Sequence, residues 1–278
     1  ALLGHGHPAI VEALVRSAEL GICSAHDMRY HVEVAETLCQ MIPCAERIRF
    51  TNSGSEATLH ALRLCRAVSG RDNIIRFTGH FHGYHELTYI GGHVPADRLD
   101  DASSYVESPG IPEPMAQFIV ALPYNDLEAV ERALQQRGGD IGTIILEPVD
   151  FNSGGIAPQP GFLEGLRDLS RQYDVILFFD EIQSSFKKST GGAQADFGVT
   201  PDICTIGKSL GGGMPLSAIC APAPMMDQYK PDGDVQHSGT FMAPLPSILA
   251  AQAFLDQVSK PDFYPDLLGR FNHFYAGL

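Results

Sequence analysis

"VILFFDE", residues 175–181, is a run of five apolar residues closed by two carboxylates, and it follows the amphipathic stretch "PGFLEGLRDLSRQYD" (160–174). A short apolar run of this kind reads as a strand buried on both faces, and the helical-period stretch before it as a helix laid across that strand. The alternation continues in both directions. Strand-like runs stand at "RIRFT" (near 47), "NIIRF" (near 73), "QFIVAL" (near 117), "GTIILE" (near 142) and "DICTIG" (near 202). Helical periods occupy "HPAIVEALVRSAEL" (7–20), "HVEVAETLCQMI" (31–42), "EATLHALRLCRAVSG" and "LEAVERALQQRGG". Strands separated by amphipathic helices predict an α/β fold, a mostly parallel central sheet with helices on both faces. In such sheets ligands bind beyond the carboxyl ends of the strands. The polar residues expected there are Glu147, Asp180 and, just past its strand, Lys208.

The bulk numbers narrow the function. A chain of 278 residues with 44% hydrophobic content suits one large core, with part of a second domain attached. A formal charge of -14 leaves no broad basic surface for a nucleic acid, so small-molecule work is expected. No apolar run reaches the roughly 20 residues that span a bilayer, and "ALLGHGHPAI" has neither the basic segment nor the long apolar stretch of a signal peptide. Six cysteines (Cys23, Cys39, Cys44, Cys65, Cys204, Cys220) form no C-x-x-C pair. They read as reduced, mostly buried thiols of a cytoplasmic protein rather than a zinc site or a disulfide framework. The chain lacks an initiator methionine, opens inside a motif and stops just after a helix, which reads as a piece of something longer.

"TIGKSLGGGMP" (205–215) looks like a nucleotide phosphate loop, but such a loop needs a glycine five positions before Gly207, and Asp202 stands there. A carboxylate would repel phosphate, and it lacks the backbone freedom of glycine. A better anion site is "FTNSGSEATLHAL" (50–62), where Ser53 and Glu56 have capping-box spacing and a helix should start at about Gly54. Its first amides lack intrahelical partners, Gly54 permits close approach, and Ser55 adds a hydroxyl; taken alone the stretch also reads as a capped helix with nothing bound. In "GHFHGYHE" (79–86) three histidines stand near one another without the acidic cluster of a closed metal site, so no metal is expected. Phe81, on a glycine-flanked turn, suits stacking on a planar ligand.

One cofactor uses the whole set. Pyridoxal 5'-phosphate would take Lys208 as its imine lysine, Asp180 as partner of its protonated ring nitrogen, the helix start for its phosphate and Phe81 against one ring face. An aspartate at the ring nitrogen keeps it protonated, so that charge from the substrate's α-carbon can delocalise into the ring.

The motifs "LLGHGHP", "RFTNSGSEATLHALRLCRAVSGRD", "FHGYH", "ILEPV", "PGFLEGLRDLSRQYDVILFFDEIQ", "GGAQADFGVTPDICTIGKSLGGGMPLSA" and "HSGTF", in this order and spacing, resemble the class III aminotransferases, in the branch that contains glutamate-1-semialdehyde aminomutase. The resemblance implies fold-type-I architecture, a homodimer with shared active sites, and amine and keto-acid substrates. By position, Lys208 resembles the cofactor lysine and Asp180 its ring-nitrogen partner. Ser53, Gly54 and Ser55 match the phosphate region, Phe81 the stacking aromatic, and Ile182 the residue on the opposite ring face. Gln183 matches the residue near the phenolic oxygen, Glu147 a supporting carboxylate, and Thr240 a threonine that reaches the phosphate of the neighbouring subunit. Residues 1–255 correspond to the large cofactor-binding domain and 256–278 to the start of a truncated small domain. The sequence departs from the family pattern where Phe81 replaces a common tyrosine, where "TFMAPLPS" lacks an asparagine-proline, and where "QSSFKKSTGG" lacks an arginine after Gln183. The expected activity is an aminotransferase, against an aminomutase that moves an amino group within one substrate, or a non-catalytic cofactor-binding relative.

Overall fold

The computed structural model describes residues 2–22 and 26–277. After helices α1 (Pro8–Leu20) and α2 (Arg29–Met41) come β1 (Arg47–Thr51), α3 (Gly54–Ser69) and β2 (Asn73–Phe77). Then follow β3 (Ile119–Leu122), α4 (Leu127–Arg137), β4 (Ile141–Leu146), α5 (Phe162–Gln172), β5 (Ile176–Glu181), α6 (Gly192–Phe197) and β6 (Ile203–Ile206). The remaining elements are β7 (Ser217–Ala221), α7 (Ala223–Met226), α8 (Leu245–Val258) and α9 (Phe263–Ala276). All six expected strands are present. The short buried run of β7 was not anticipated.

The strands form one sheet in the order β1-β7-β6-β5-β4-β2-β3. The pairs β2–β3, β2–β4, β4–β5 and β5–β6 are parallel, while β7 runs antiparallel to both β6 and β1. Successive strand residues point to opposite faces, and here both faces are apolar. Leu177 and Phe179, with Ile144, Leu146 and Ile206, pack beneath α1, α2, α4, α5 and α8. Phe178, with Ile145, Ile203 and Ile219, packs under α3. Each such fully buried side chain contributes about 1.5–3 kcal/mol, which explains why these strands read as unbroken apolar runs rather than alternating ones.

The connection from β2 to β3 is not an α-helix. Residues 78–118 form a long excursion with two 3-10 turns, Ala96–Ser104 and Glu113–Phe118. It is fixed by a buried arginine: Arg76 on β2 donates to the backbone carbonyls of His80, Thr88 and Ile90 and faces the Glu107 carboxylate at 3.9 Å. At the carboxyl end, α8 runs continuously through residue 255, and α9 presents Leu268, Phe271, Phe274 and Tyr275 to solvent. Cys44, Cys65, Cys204 and Cys220 are buried free thiols and Cys39 is partly buried; Cys23 lies outside the described residues. Among the described residues no helix is long and apolar enough to cross a membrane.

Candidate active site

The parallel register brings the predicted strand ends together. Leu146 of β4 pairs with Phe179 of β5, and Asp180 pairs with Thr205 of β6. Glu147, Asp180 and Lys208 therefore leave neighbouring strands at one edge, and all three line a cavity of about 270 Å³. The start of α3 closes another side. Ser53 caps this helix: its Oγ accepts from the Glu56 amide at 3.2 Å, while Glu56 Oε2 accepts from the amides of Ser53 (3.2 Å) and Asn52 (2.7 Å). The capping box thus holds the first turn so that Gly54 and Ser55 face the cavity. Phe81, Ile182 and Gln183 complete the wall.

Space at the glycines is set by Ile182. A Cβ on Gly54 would lie 3.2 Å from Ile182 Cγ2, and one on Gly207 would lie 2.9 Å from Ile182 Cδ1 and 2.5 Å from Ser217 Oγ. Gly207 is therefore needed for room just before the lysine. Lys208 itself has a φ of 44°, a left-handed conformation that is uncommon for a residue with a side chain and concentrates at functional sites.

Asp180 and Glu181 are neighbours with different duties because β5 alternates. Asp180 is buried on the α3 side. Its Oδ1 accepts from the Ile182 amide and the Thr205 hydroxyl, both at 3.1 Å, and its Oδ2 lies 2.8 Å from His82 Nδ1. Burial raises its pKa to about 6, against the Ile182 and Thr205 donors and the Lys208 charge. Glu181 projects the other way and holds the start of α6, accepting from the Ala193 amide (2.5 Å) and Gln194 Nε2 (2.8 Å). Burial pushes it to about 7. Glu147 accepts from the Phe81 amide (2.9 Å) and Asn152 Nδ2 (2.6 Å) through Oε1, while Oε2 is buried without a partner. Burial, reinforced by Asp180, raises it to about 7. Lost hydration in the cavity lowers the pKa of Lys208, opposed by the carboxylates of Asp180 and Glu147.

Nine of the ten residues singled out in the sequence line this cavity. Thr240 does not: it lines a separate cavity of about 1440 Å³ between α2, β1 and the segment 237–243. His82, Thr205 and Asn152 were not anticipated. His82 stood in the "FHGYH" motif, but its partner is far along the chain. The other two histidines serve the same loop: His80 Nδ1 accepts from the Glu147 amide at 3.0 Å, and His85 Nε2 lies 3.2 Å from Thr58 Oγ1.

The model of the family described as aminotransferase class-III matches residues 1–275. The chain belongs to the class-III aminotransferases. Glutamate-1-semialdehyde 2,1-aminomutase 2 of Brevibacillus brevis is 38% identical over 268 residues, which are 96% of this chain and 61% of that protein. Among solved structures, an omega-transaminase from Sphaerobacter thermophilus matches with a TM-score of 0.85 at 31% identity, covering 92% of this chain and 59% of that one. A β-phenylalanine aminotransferase from Variovorax paradoxus matches with a TM-score of 0.81 at 31% identity, covering 95% of this chain and 57% of that one. The α/β architecture is thus that of the fold-type-I transaminases, and the chain spans about three fifths of the length of these relatives.

Proposed function

We propose that this chain carries the cofactor-binding and catalytic part of a pyridoxal-phosphate-dependent aminotransferase, which moves an amino group from an amine or amino acid to a keto acid or aldehyde. The observation that carries the reading is the convergence of Lys208, Asp180 and the capped start of α3 on one cavity. The donor set fits the cofactor. An amine, a carboxylate and a helix start correspond to its aldehyde, ring nitrogen and phosphate, and Phe81 and Ile182 give the cavity apolar walls for a flat ring.

When bound, pyridoxal phosphate supplies an aldehyde that captures amines and a ring that stores negative charge. The protein does the rest. The amides of Gly54 and Ser55 and the Ser55 hydroxyl would hold the phosphate, and Phe81 and Ile182 would confine the two ring faces. The Asp180 carboxylate keeps a proton on the ring nitrogen. Gln183, on the cavity wall, would serve the phenolic oxygen, and Glu147 braces the loop through the Phe81 amide. Lys208 Nζ would anchor the cofactor and, when free, carry the proton away from the substrate's α-carbon; lost hydration in the cavity lowers its pKa, which favours the unprotonated amine that this role needs.

The site is completed, in this reading, in a cytoplasmic homodimer in which Thr240 reaches the phosphate of the neighbouring subunit; its position away from the Lys208 cavity supports such a role. Residues from 256 onward begin a smaller second domain. The test is covalent. The chain is incubated with pyridoxal phosphate, reduced with borohydride and mapped by mass spectrometry. A pyridoxyl adduct on Lys208, absent in Lys208→Ala, is expected; an adduct elsewhere or none refutes the assignment. An aminomutase is the second reading, favoured by the Brevibacillus brevis relative. A requirement for a separate amino acceptor distinguishes the transferase.

A further inference from the structure

Asp180 is held unevenly. The Ile182 amide and the Thr205 hydroxyl both bond Oδ1, so the direction of Oδ2 rests on its 2.8 Å contact with His82 Nδ1. His82 is fully buried and is itself fixed from behind. Its backbone carbonyl accepts from Thr58 Oγ1 at 2.6 Å, and the preceding loop carbonyl, that of His80, is held by Arg76. An ionised carboxylate only accepts hydrogen bonds, so Nδ1 carries the hydrogen. Nε2 is then an acceptor, and it is buried without a partner. The charged and titratable groups around His82 are Arg76, Glu107, His80 and His85; those around Asp180 are Glu147 and Lys208. Burial, aided by the Arg76 charge, keeps His82 neutral. It therefore acts as a dipole with one donor rather than as a counter-ion.

We propose that His82 is a positioning residue: its Nδ1–H holds the Asp180 carboxylate ionised and fixes Oδ2 in the direction from which it meets the cofactor's ring nitrogen. The second half of this statement rests on the cofactor reading above. The first half does not, because donor and carboxylate both belong to the chain.

The test separates the two halves. In the chain without cofactor, the Asp180 carboxyl is followed by carbon NMR of aspartate-labelled protein, assigned through Asp180→Asn. Three forms are compared: wild type, His82→Leu, which removes the donor, and His82→Asn, whose side-chain NH2 falls near the place of Nδ1. Losing a hydrogen bond to a charged group should raise the Asp180 midpoint by about one to two pH units in the leucine form. The asparagine form should restore it. The acid limb of pyridoxal phosphate uptake, read by absorbance, should move in parallel. An unmoved midpoint in His82→Leu overturns the proposal. So does an asparagine form that shifts as far as the leucine form, since packing rather than the donor would then be responsible. Failure of the wild type to take up pyridoxal phosphate would refute the cofactor reading while leaving the carboxyl titration to decide the role of His82. If Asp180 titrates as expected but uptake does not follow it, the aim of Oδ2 at the ring is overturned.

Discussion

Gly83 is where the loop that carries Phe81 and His82 touches the start of α3. Its φ is 102°, and a Cβ added there would lie 2.7 Å from Ser55 Cα, 2.8 Å from Ser55 Oγ and 3.0 Å from Ser55 Cβ. The first two distances are closer than real contacts of this kind, and the nearest atom is backbone in the turn that faces the cavity. Two costs therefore add in Gly83→Ala. A left-handed conformation costs a residue with a Cβ about 1–2 kcal/mol, and forcing extra volume into a packed contact costs about 1–3 kcal/mol. The sum is about 2–5 kcal/mol. Gly110→Ala is the control, because Gly110 has a φ of 96° and nothing within 4 Å of an added Cβ. It bears only the first cost. Urea unfolding of both variants should therefore differ by about 1–3 kcal/mol, with Gly83→Ala the less stable. Pyridoxal phosphate uptake should weaken in Gly83→Ala alone, because displacing Ser55 moves the amides and hydroxyl proposed for the phosphate; each 1.4 kcal/mol of lost binding is about tenfold. Equal stabilities of the two variants together with equal uptake would refute the close approach and its link to the phosphate site.

Three further outcomes are expected. Cofactor uptake should fall as pH drops through about 6, where the buried Asp180 gains a proton and can no longer pair with a protonated ring nitrogen, and a fluorescence titration of Asp180→Asn should lack that limb. Thr58→Val should lower the melting temperature through a loss of about 1–3 kcal/mol, because the buried His82 carbonyl loses its 2.6 Å donor, whereas Thr58→Ser keeps it. Glu181 binds its proton more tightly in the folded chain, at about 7 against an ordinary 4.5, so its contribution to stability is greatest below pH 4.5 and is lost as pH rises through 7. Denaturation of wild type and Glu181→Gln at pH 5 and pH 8 should show the wild type losing stability relative to the variant at the higher pH, by roughly 3 kcal/mol over the full range; parallel curves would contradict the burial argument.

The features legible in the sequence are those that depend on near neighbours. Apolar runs such as "VILFFDE" announce strands because a sheet covered on both faces demands apolar residues at every position. Ser53 and Glu56 announce a helix start because the capping box closes within one turn. Parallel strands carry their final residues to the same edge, so Glu147, Asp180 and Lys208 were foreseeable as a group without any knowledge of distances. Other features needed the tertiary structure. That β7 runs against β6 follows from where the chain turns after Gly213, and its apolar composition is equally compatible with either direction. The contact of His82 with Asp180 spans 98 positions, and the contacts of Asp180 with Thr205 and of the His82 carbonyl with Thr58 span 25 and 24. No local pattern encodes them, since a buried histidine beside a carboxylate carries the same sequence mark as one packed in a core. Even the division of labour between Asp180 and Glu181 is tertiary: strand alternation separates their faces, but only the packing of α3 on one side and α6 on the other decides which carboxylate meets the cavity.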